Sequence, residues 1–226
     1  MADFPNDDIA LIRRAQRGDL DAFNALVRRY QDAVYTLAYR IMDDAHAASD
    51  AAQEAFITAY RQIKTFRGTS PPSLRTGGHG DEAALGGGEG AFRAWLLRIA
   101  ANRCYDELRR RKRRPAVSVE SLAFDDDADG ASATPDLPDP GDSPEQIALS
   151  RELQRAIQGC ISALQPDQRV VLVMSDLEGV DYQGIADAVG VALGTVKSRL
   201  SRARASVRDC LSGFGELLPA EFRLNR

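Results

Sequence analysis

The 226-residue chain is poor in the residues that build cross-links and metal centres: it holds three cysteines, two histidines and one tryptophan. Cys104, Cys160 and Cys210 stand far apart without paired spacing, and only His46 and His79 could join them, so neither a disulfide framework nor a zinc site is expected. The three thiols read as small buried hydrophobes. No run of about 18 apolar residues occurs, which argues against a spanning helix or direct membrane insertion. The first residues, MADFPNDDIALIRR, lack a basic head, a long apolar segment and a small-residue cleavage site. A secretory signal is therefore not expected, and the chain reads as cytoplasmic. No carboxylate, His or Cys group stands out as a nucleophile or metal site, so no catalytic residue, cofactor or metal is expected, and the chain does not read as an enzyme.

The formal net charge of −4 argues weakly against a nucleic-acid protein until it is divided along the chain. Residues 116–145 hold nine acids and no Lys or Arg, and taking those nine away turns −4 into +5. The remainder is basic. With 44% hydrophobic and 27% charged residues, the composition suits soluble, folded material, and the length suits two modest domains or one larger one.

Apolar periodicity is helical throughout, and no stretch shows strand alternation, so the expected fold class is all-α with two small helical domains. A short helix begins near Asp8 and closes at Gly18. Asp19 then sits as an N-cap before a long amphipathic helix carrying Phe23, Leu26, Val27, Tyr30, Val34, Leu37, Ala38 and Ile41. Further helices are predicted at about 50–63 and 91–110. Between these two, residues 68–90 hold eight of the 18 glycines and two adjacent prolines, which reads as a flexible loop. Residues 116–142, acidic and punctuated by Pro135, Pro138 and Pro140, read as an extended linker that could span about 90 Å when stretched. The two domains are expected to be loosely tethered.

The second domain opens on Ser143-Pro144-Glu145-Gln146, an N-cap, a helix-starting proline and a capping-box Gln. Helices follow at about 144–163 and 166–177. Next, a short helix with Ile185, Ala186 and Val189 ends at Gly190, a turn of about four residues follows, and a longer helix carries Val196, Leu200, Ala203 and Val207. That is a helix-turn-helix pattern, whose second helix enters the major groove. Opposite its apolar stripe lie Lys197, Ser198, Arg199, Ser201, Arg202 and Arg204, cations and hydroxyls suited to guanine edges and phosphates, with Thr195 near the amide-rich helix start. A second basic block lies at 103–114, where seven of twelve residues are Arg or Lys. Such density wants an anionic partner, most simply a phosphate backbone.

Four segments in order, GDLDAFNALVRRYQDAVYTLAYR, DAAQEAFITAYRQIKTFRG, AFRAWLLRIAANRCYDELRRRKRR and YQGIADAVGVALGTVKSRLSRAR, resemble the successive blocks of extracytoplasmic-function sigma factors, the small bacterial sigma factors that keep only region 2 and region 4. The resemblance implies a region 2 domain at 1–115 with the Gly-rich insertion at 68–90, the acidic linker at 116–142, a region 4 helix-turn-helix domain at 143–212 and a tail at 213–226. It implies that Asp50, Gln53, Glu54, Phe56 and Ile57 dock on the clamp helices of the largest subunit of core RNA polymerase, although Phe56 and Ile57 read equally well as core. It implies that Asn102, near a flipped-out base, and Arg103, Arg109, Arg110, Lys112 and Arg113 recognise and hold the opened minus-ten element, while Trp95 belongs to the apolar stripe. The helix at about 193–207 would read the minus-thirty-five duplex, led by Lys197, Arg199 and Arg202, and its domain would rest on the flap of the second-largest subunit. An anti-sigma partner is implied as well. Asp125, Asp126 and Asp127 either imitate phosphates in the RNA exit channel or belong to a solvated tether.

This chain departs from the pattern in its 68–90 loop, in Gly184, where relatives commonly carry an acid, and in Ser201, where some carry a bulkier side chain. The competing reading is a free-standing helix-turn-helix repressor or activator, which would have no need of the first basic domain. A nuclease or recombinase component lacks a clustered acidic or His/Cys site.

Overall fold

A computed structural model describes residues 8–67, 89–113 and 143–217. The expected loop, apart from its last two positions, and the linker at 116–142 lie outside the described residues. So does the tail beyond residue 217.

Asp8 opens α1 (Asp8–Gln16) and is buried, its carboxylate accepting from the Arg29 guanidinium and the Tyr30 hydroxyl of the next helix. That pairing makes a buried acid tolerable. Gly18, at φ 93°, turns the chain in the left-handed region that costs a glycine little. Asp19 then caps α2 (Leu20–Met42) by accepting the Ala22 N–H at 3.0 Å. Two aspartates make the next corner. Asp43 ends α2 at φ 55° with its N–H on the Tyr39 carbonyl, and Asp44 caps α3 (Ala45–Gln62) by accepting from Ala47 N at 2.7 Å. The third helix therefore starts five residues before the predicted position, because its first turns are alanine-rich and carry little apolar contrast for periodicity to detect.

Those alanines serve packing. Ala48, Ala51, Ala52, Ala55 and Ala59 are buried and let α3 approach α2 closely, where Val34, Leu37 and Ile41 are wholly buried. Each of the larger side chains contributes about 1.5–3 kcal/mol by leaving water. A 3-10 turn (Ile63–Thr65) ends α3, and α4 (Glu89–Arg113) closes the first unit with Phe92, Leu96, Leu97, Ala100, Ala101 and Cys104. Cys104 is a buried free thiol as expected, and burial pushes its pKa up to about 12.

The second unit starts at α5 (Pro144–Ser162) with the expected capping box: Ser143 Oγ accepts from Gln146 N at 3.3 Å and Gln146 Oε1 accepts from Ser143 N at 2.7 Å. The predicted helix at 166–177 divides into α6 (Pro166–Leu172) and a π-helical turn (Val173–Leu177), where Glu178 N reaches the Val173 carbonyl at 3.1 Å. Then α7 (Tyr182–Val189) ends at Gly190, φ 66°, and α8 (Leu193–Ser212) follows. No strand occurs among the described residues.

Two expectations are corrected. First, Cys160 of α5 and Cys210 of α8 form a disulfide, with Cα atoms 5.8 Å apart and the two residues 50 positions apart in sequence. Spacing could not reveal the pair, because only the docking of α5 along the second half of α8 brings the sulfurs together. Second, the two units are not loosely tethered but packed. Five consecutive residues, Val170 to Met174, are buried, which a two-sided environment requires: α6 lies against α8 on one side and against α4 and α2 on the other. At the seam, Arg93 pairs with Glu178 at 2.6 Å, Arg169 donates to the Ile41 carbonyl at 2.9 Å, and Gln158 donates to Asp43 at 3.2 Å. Gly184 lies near this seam: a Cβ there would be a tight 3.2 Å from Asp181 Oδ2 and Val180 Cγ1 of its own segment and in ordinary contact, 3.5 Å, with Arg98 Cδ of α4.

Candidate DNA and polymerase interfaces

Burial of Val196, Leu200 and Ala203 sets the rotation of α8 about its axis, and Lys197, Ser198, Ser201 and Arg202 are left exposed on the remaining surface. No side chain caps its N-terminus at Ala192, so first-turn N–H groups and the positive end of the helix dipole face outward, next to half-buried Thr195. The Ser198 hydroxyl donates back to the Thr195 carbonyl at 3.0 Å.

The other two arginines of this face are already engaged. Arg199 is only 18% exposed in its side chain, and its Nη2 donates to Asp167 of α6 at 2.7 Å while Nη1 is buried without a hydrogen-bond partner among the described residues. Arg204 grips Asp176 with two parallel bonds, Nε to Oδ2 at 2.8 Å and Nη2 to Oδ1 at 2.7 Å. That hydrogen-bonded carboxylate raises the Arg204 pKa further. Burial pushes the Asp176 carboxyl up, but the bonds from Arg204 and Ser175 outweigh it and hold the group below its ordinary value of 3.8. Sequence periodicity placed Arg199 and Arg204 on the outer face without revealing these carboxylates, which come from another helix and the π turn.

On α4, Asn102 is exposed, and Arg103 turns toward α3, with Nη2 at 3.4 Å from Thr58 Oγ1 and Nε at 3.8 Å from Glu54 Oε2. Arg109 lies over the Tyr105 ring, 5.5 Å from its centroid. Glu107 takes Arg110 at 2.7 Å and Arg111 at 3.0 Å, and the Arg110 hydrogen bond leads in holding its carboxyl below the usual range. Lys112 and Arg113 are exposed, Arg113 donating to the Arg109 carbonyl at 3.3 Å. The block sits at the helix C-terminus, where the dipole favours cations. Trp95 is half-buried in an aromatic cluster, its ring 5.2 Å from Phe66 and 5.5 Å from Phe92.

On α3, Asp50, Gln53 and Glu54 are exposed, Gln53 donating to Ser49 at 3.5 Å. Phe56 is half-buried against the core, whereas Ile57 is 51% exposed. The structure thus separates two residues that periodicity left open. Beside them stands a residue missed from sequence: Tyr60 is 41% exposed and packs edge-on to Phe23 at 5.0 Å. Its signal was its position three residues after Ile57 on a predicted helix. The Glu54–Arg103 pair brings the acidic edge of α3 and the start of the α4 basic run together, while the α8 face belongs to the second unit.

Comparison with known proteins places this chain in a family. The sigma-70 region 2 family model matches residues 26–76 and 86–114, and the sigma-70 region 4 model matches residues 154–207. The chain is 36% identical over 207 residues to the RNA polymerase sigma-H factor of Pseudomonas aeruginosa, covering 90% of this chain and 93% of that one. It is 34% identical over 200 residues to the ECF RNA polymerase sigma-E factor of Escherichia coli K12, covering 88% and 92%. Among solved structures it shares the fold of CnrH in complex with the cytosolic domain of CnrY, with a TM-score of 0.55 at 22% identity over 92% of this chain and 99% of that one. It also shares the fold of the sigma factor RpoE in complex with the anti-sigma factor NepR from Bartonella quintana, with a TM-score of 0.52 at 23% identity over 84% and 96%.

The fold is that of a two-domain sigma-70-type protein. Within that class, the chain belongs to the extracytoplasmic-function family of RNA polymerase sigma factors. Its function is that of a sigma factor, directing promoter-specific transcription initiation by RNA polymerase. The family is not enzymatic in the catalytic sense. Among the described residues, no group of three or more His, Cys, Asp or Glu could hold a metal ion, and no helix is long and apolar enough to cross a membrane.

Proposed function

We propose that α8 reads the minus-thirty-five duplex through Lys197, Ser198, Ser201 and Arg202, with Thr195 and the uncapped helix start on a phosphate, while Arg199 and Arg204 hold the helix at its angle. The observation that carries this division is the pairing of the latter two with Asp167 and Asp176. A cation already bonded to a carboxylate must exchange that bond before it can bind a phosphate, so it adds little net affinity. Exposed Lys197 and Arg202 displace only water and counterions.

On the first unit, the run Arg103, Arg109, Arg110, Lys112 and Arg113 holds the backbone of the opened minus-ten strand, with Asn102 presenting its amide to an unstacked base. The face of Asp50, Gln53, Glu54, Ile57 and Tyr60 docks on a basic and apolar helical surface of core polymerase, the clamp helices of its largest subunit. An anti-sigma protein competes for these surfaces. The chain works in the bacterial cytoplasm and has no catalytic activity of its own.

The packed arrangement must open for this work. The two promoter elements lie about 25 base pairs apart, about 85 Å of duplex at about 3.4 Å per base pair. Units joined by the Arg93–Glu178 pair cannot occupy both, whereas the stretched length of residues 116–142 suffices.

The test is reconstitution with core polymerase. Co-purification with core and transcription from a subset of a randomised promoter library are expected. Failure to bind core, together with tight binding of the protein alone to duplex DNA, would instead establish a free-standing helix-turn-helix regulator.

A further inference from the structure

We propose that the Cys160–Cys210 disulfide is a site of reversible thiol–disulfide exchange with low-molecular-weight thiols, and that its redox state sets how firmly the second half of α8 is held. The inference rests on family membership and on the position of the cross-link, not on which side chains touch DNA. An RNA polymerase subunit works where the chromosome is, in a compartment whose thiol pool keeps most cysteines reduced. Disulfides formed there are in general transient or redox-sensing rather than structural.

Position makes this one consequential. The last fully buried residue of α8 is Ala203. Beyond it, only Val207, Cys210 and Leu211 are even partly buried, and the remaining side chains up to Ser212 are exposed. Up to Arg204 the helix is held by Val196, Leu200 and Ala203, by Arg199 on Asp167 and by Arg204 on Asp176. Beyond Arg204 the helix depends on one partly buried valine, one partly buried leucine and the covalent link to α5. Cutting that link removes the strongest tether from the end of the helix with the fewest others, so the loss is concentrated there.

Access to the two sulfurs is unequal. Cys160 is 2% exposed, whereas Cys210 is half-buried near the end of its helix. An external thiolate therefore attacks Cys210 Sγ. The new S–S bond forms there as the protein disulfide breaks, the electron pair leaves on Cys160 Sγ, and that thiolate takes a proton from water. A second thiolate attacks the small-molecule sulfur of the mixed disulfide and releases Cys210. The net reaction converts one protein disulfide and two small thiols into one protein dithiol and one small disulfide, and an excess of the small disulfide reverses it. Cys104 does not compete, because it is wholly buried in the first unit.

The full-length chain would be equilibrated in buffers of stepped ratio of reduced to oxidised glutathione, quenched in acid, unfolded and labelled with a mass-tagged maleimide. The same samples would undergo amide hydrogen exchange read on peptides covering α5 and α8. A reversible step between one and three labelled thiols is expected within the glutathione range, with exchange about tenfold or more faster at 204–212 in the reduced form and little change at 193–200. Cys104→Ser should keep the step, now between zero and two thiols. Cys210→Ser should show the fast-exchanging pattern at every ratio; because it could misfold, the reduced wild-type chain supplies the same comparison without substitution. Three labelled thiols at every ratio, one at every ratio, or a step with unchanged exchange at 204–212 would each overturn the proposal.

Discussion

The basic blocks of the two units hold their cations differently. On α4, Arg110 and Arg111 pair with Glu107 one turn away on the same helix. Such exposed local pairs are worth about 0.3–0.5 kcal/mol and yield readily to a stronger anion. On α8, Arg199 and Arg204 instead reach across to α6 and to the π turn, joining elements 32 and 28 residues away in sequence. Apart from Arg103, which turns toward Glu54 and Thr58 of α3, the first block is a reserve of charge, while the second is divided between charge and scaffold. A count of cations on a helix face thus overstates the number free for nucleic acid wherever neighbouring helices supply carboxylates.

The largest effect should come from the scaffold side. Reducing the Cys160–Cys210 disulfide should lower the stability of the second unit by roughly 2–4 kcal/mol, read as a shift of its chemical-denaturation midpoint with little change in the first. Next is the seam, where Arg93→Ala leaves Glu178, only 7% exposed in its side chain, without its guanidinium. A cost of roughly 1–3 kcal/mol is expected for that unpaired carboxylate, together with a larger radius of gyration in small-angle X-ray scattering as the units part.

Arg199→Ala should cost about 1–2 kcal/mol in thermal unfolding and weaken promoter binding through misplacement of α8. Lys197→Ala and Arg202→Ala should leave unfolding unchanged, weaken promoter binding by the holoenzyme, and each reduce the salt dependence of binding by about one unit of slope. Equal loss of stability in all three variants would remove the distinction between scaffold and contact. Lys112→Ala should behave like Lys197→Ala, showing the α4 block as plain charge.

The smallest effect is a matter of pH. The Asp176 carboxyl is held below its ordinary value of 3.8 in the folded chain, so its pairing with Arg204 contributes fully above that value and is lost as pH falls through the lower, folded one. Asp176→Asn should therefore flatten the acid limb of the stability profile below about pH 4 while leaving its neutral plateau lower than wild type.

Much of the fold was legible in sequence because its signals are local. Asp19, Gly190 and the Ser143 capping box punctuate helices within a few residues, and Val196, Leu200 and Ala203 announce the buried stripe of α8 by spacing alone. The start of α3 was less legible, since alanines show no apolar contrast. Tyr60 was missed because periodicity cannot separate a tyrosine that lies inside from one that stands at the rim.

The order of helices, their caps, the helix-turn-helix and the segregation of charge into basic units and an acidic connection were determined by the sequence itself, because each depends on neighbours within one or two turns. Tertiary structure decided the rest: that Cys160 meets Cys210, that Asp167 and Asp176 occupy two arginines of α8, and that α6 is covered on both sides. These depend on how helices dock across tens of residues, and many docking geometries share the same local periodicity.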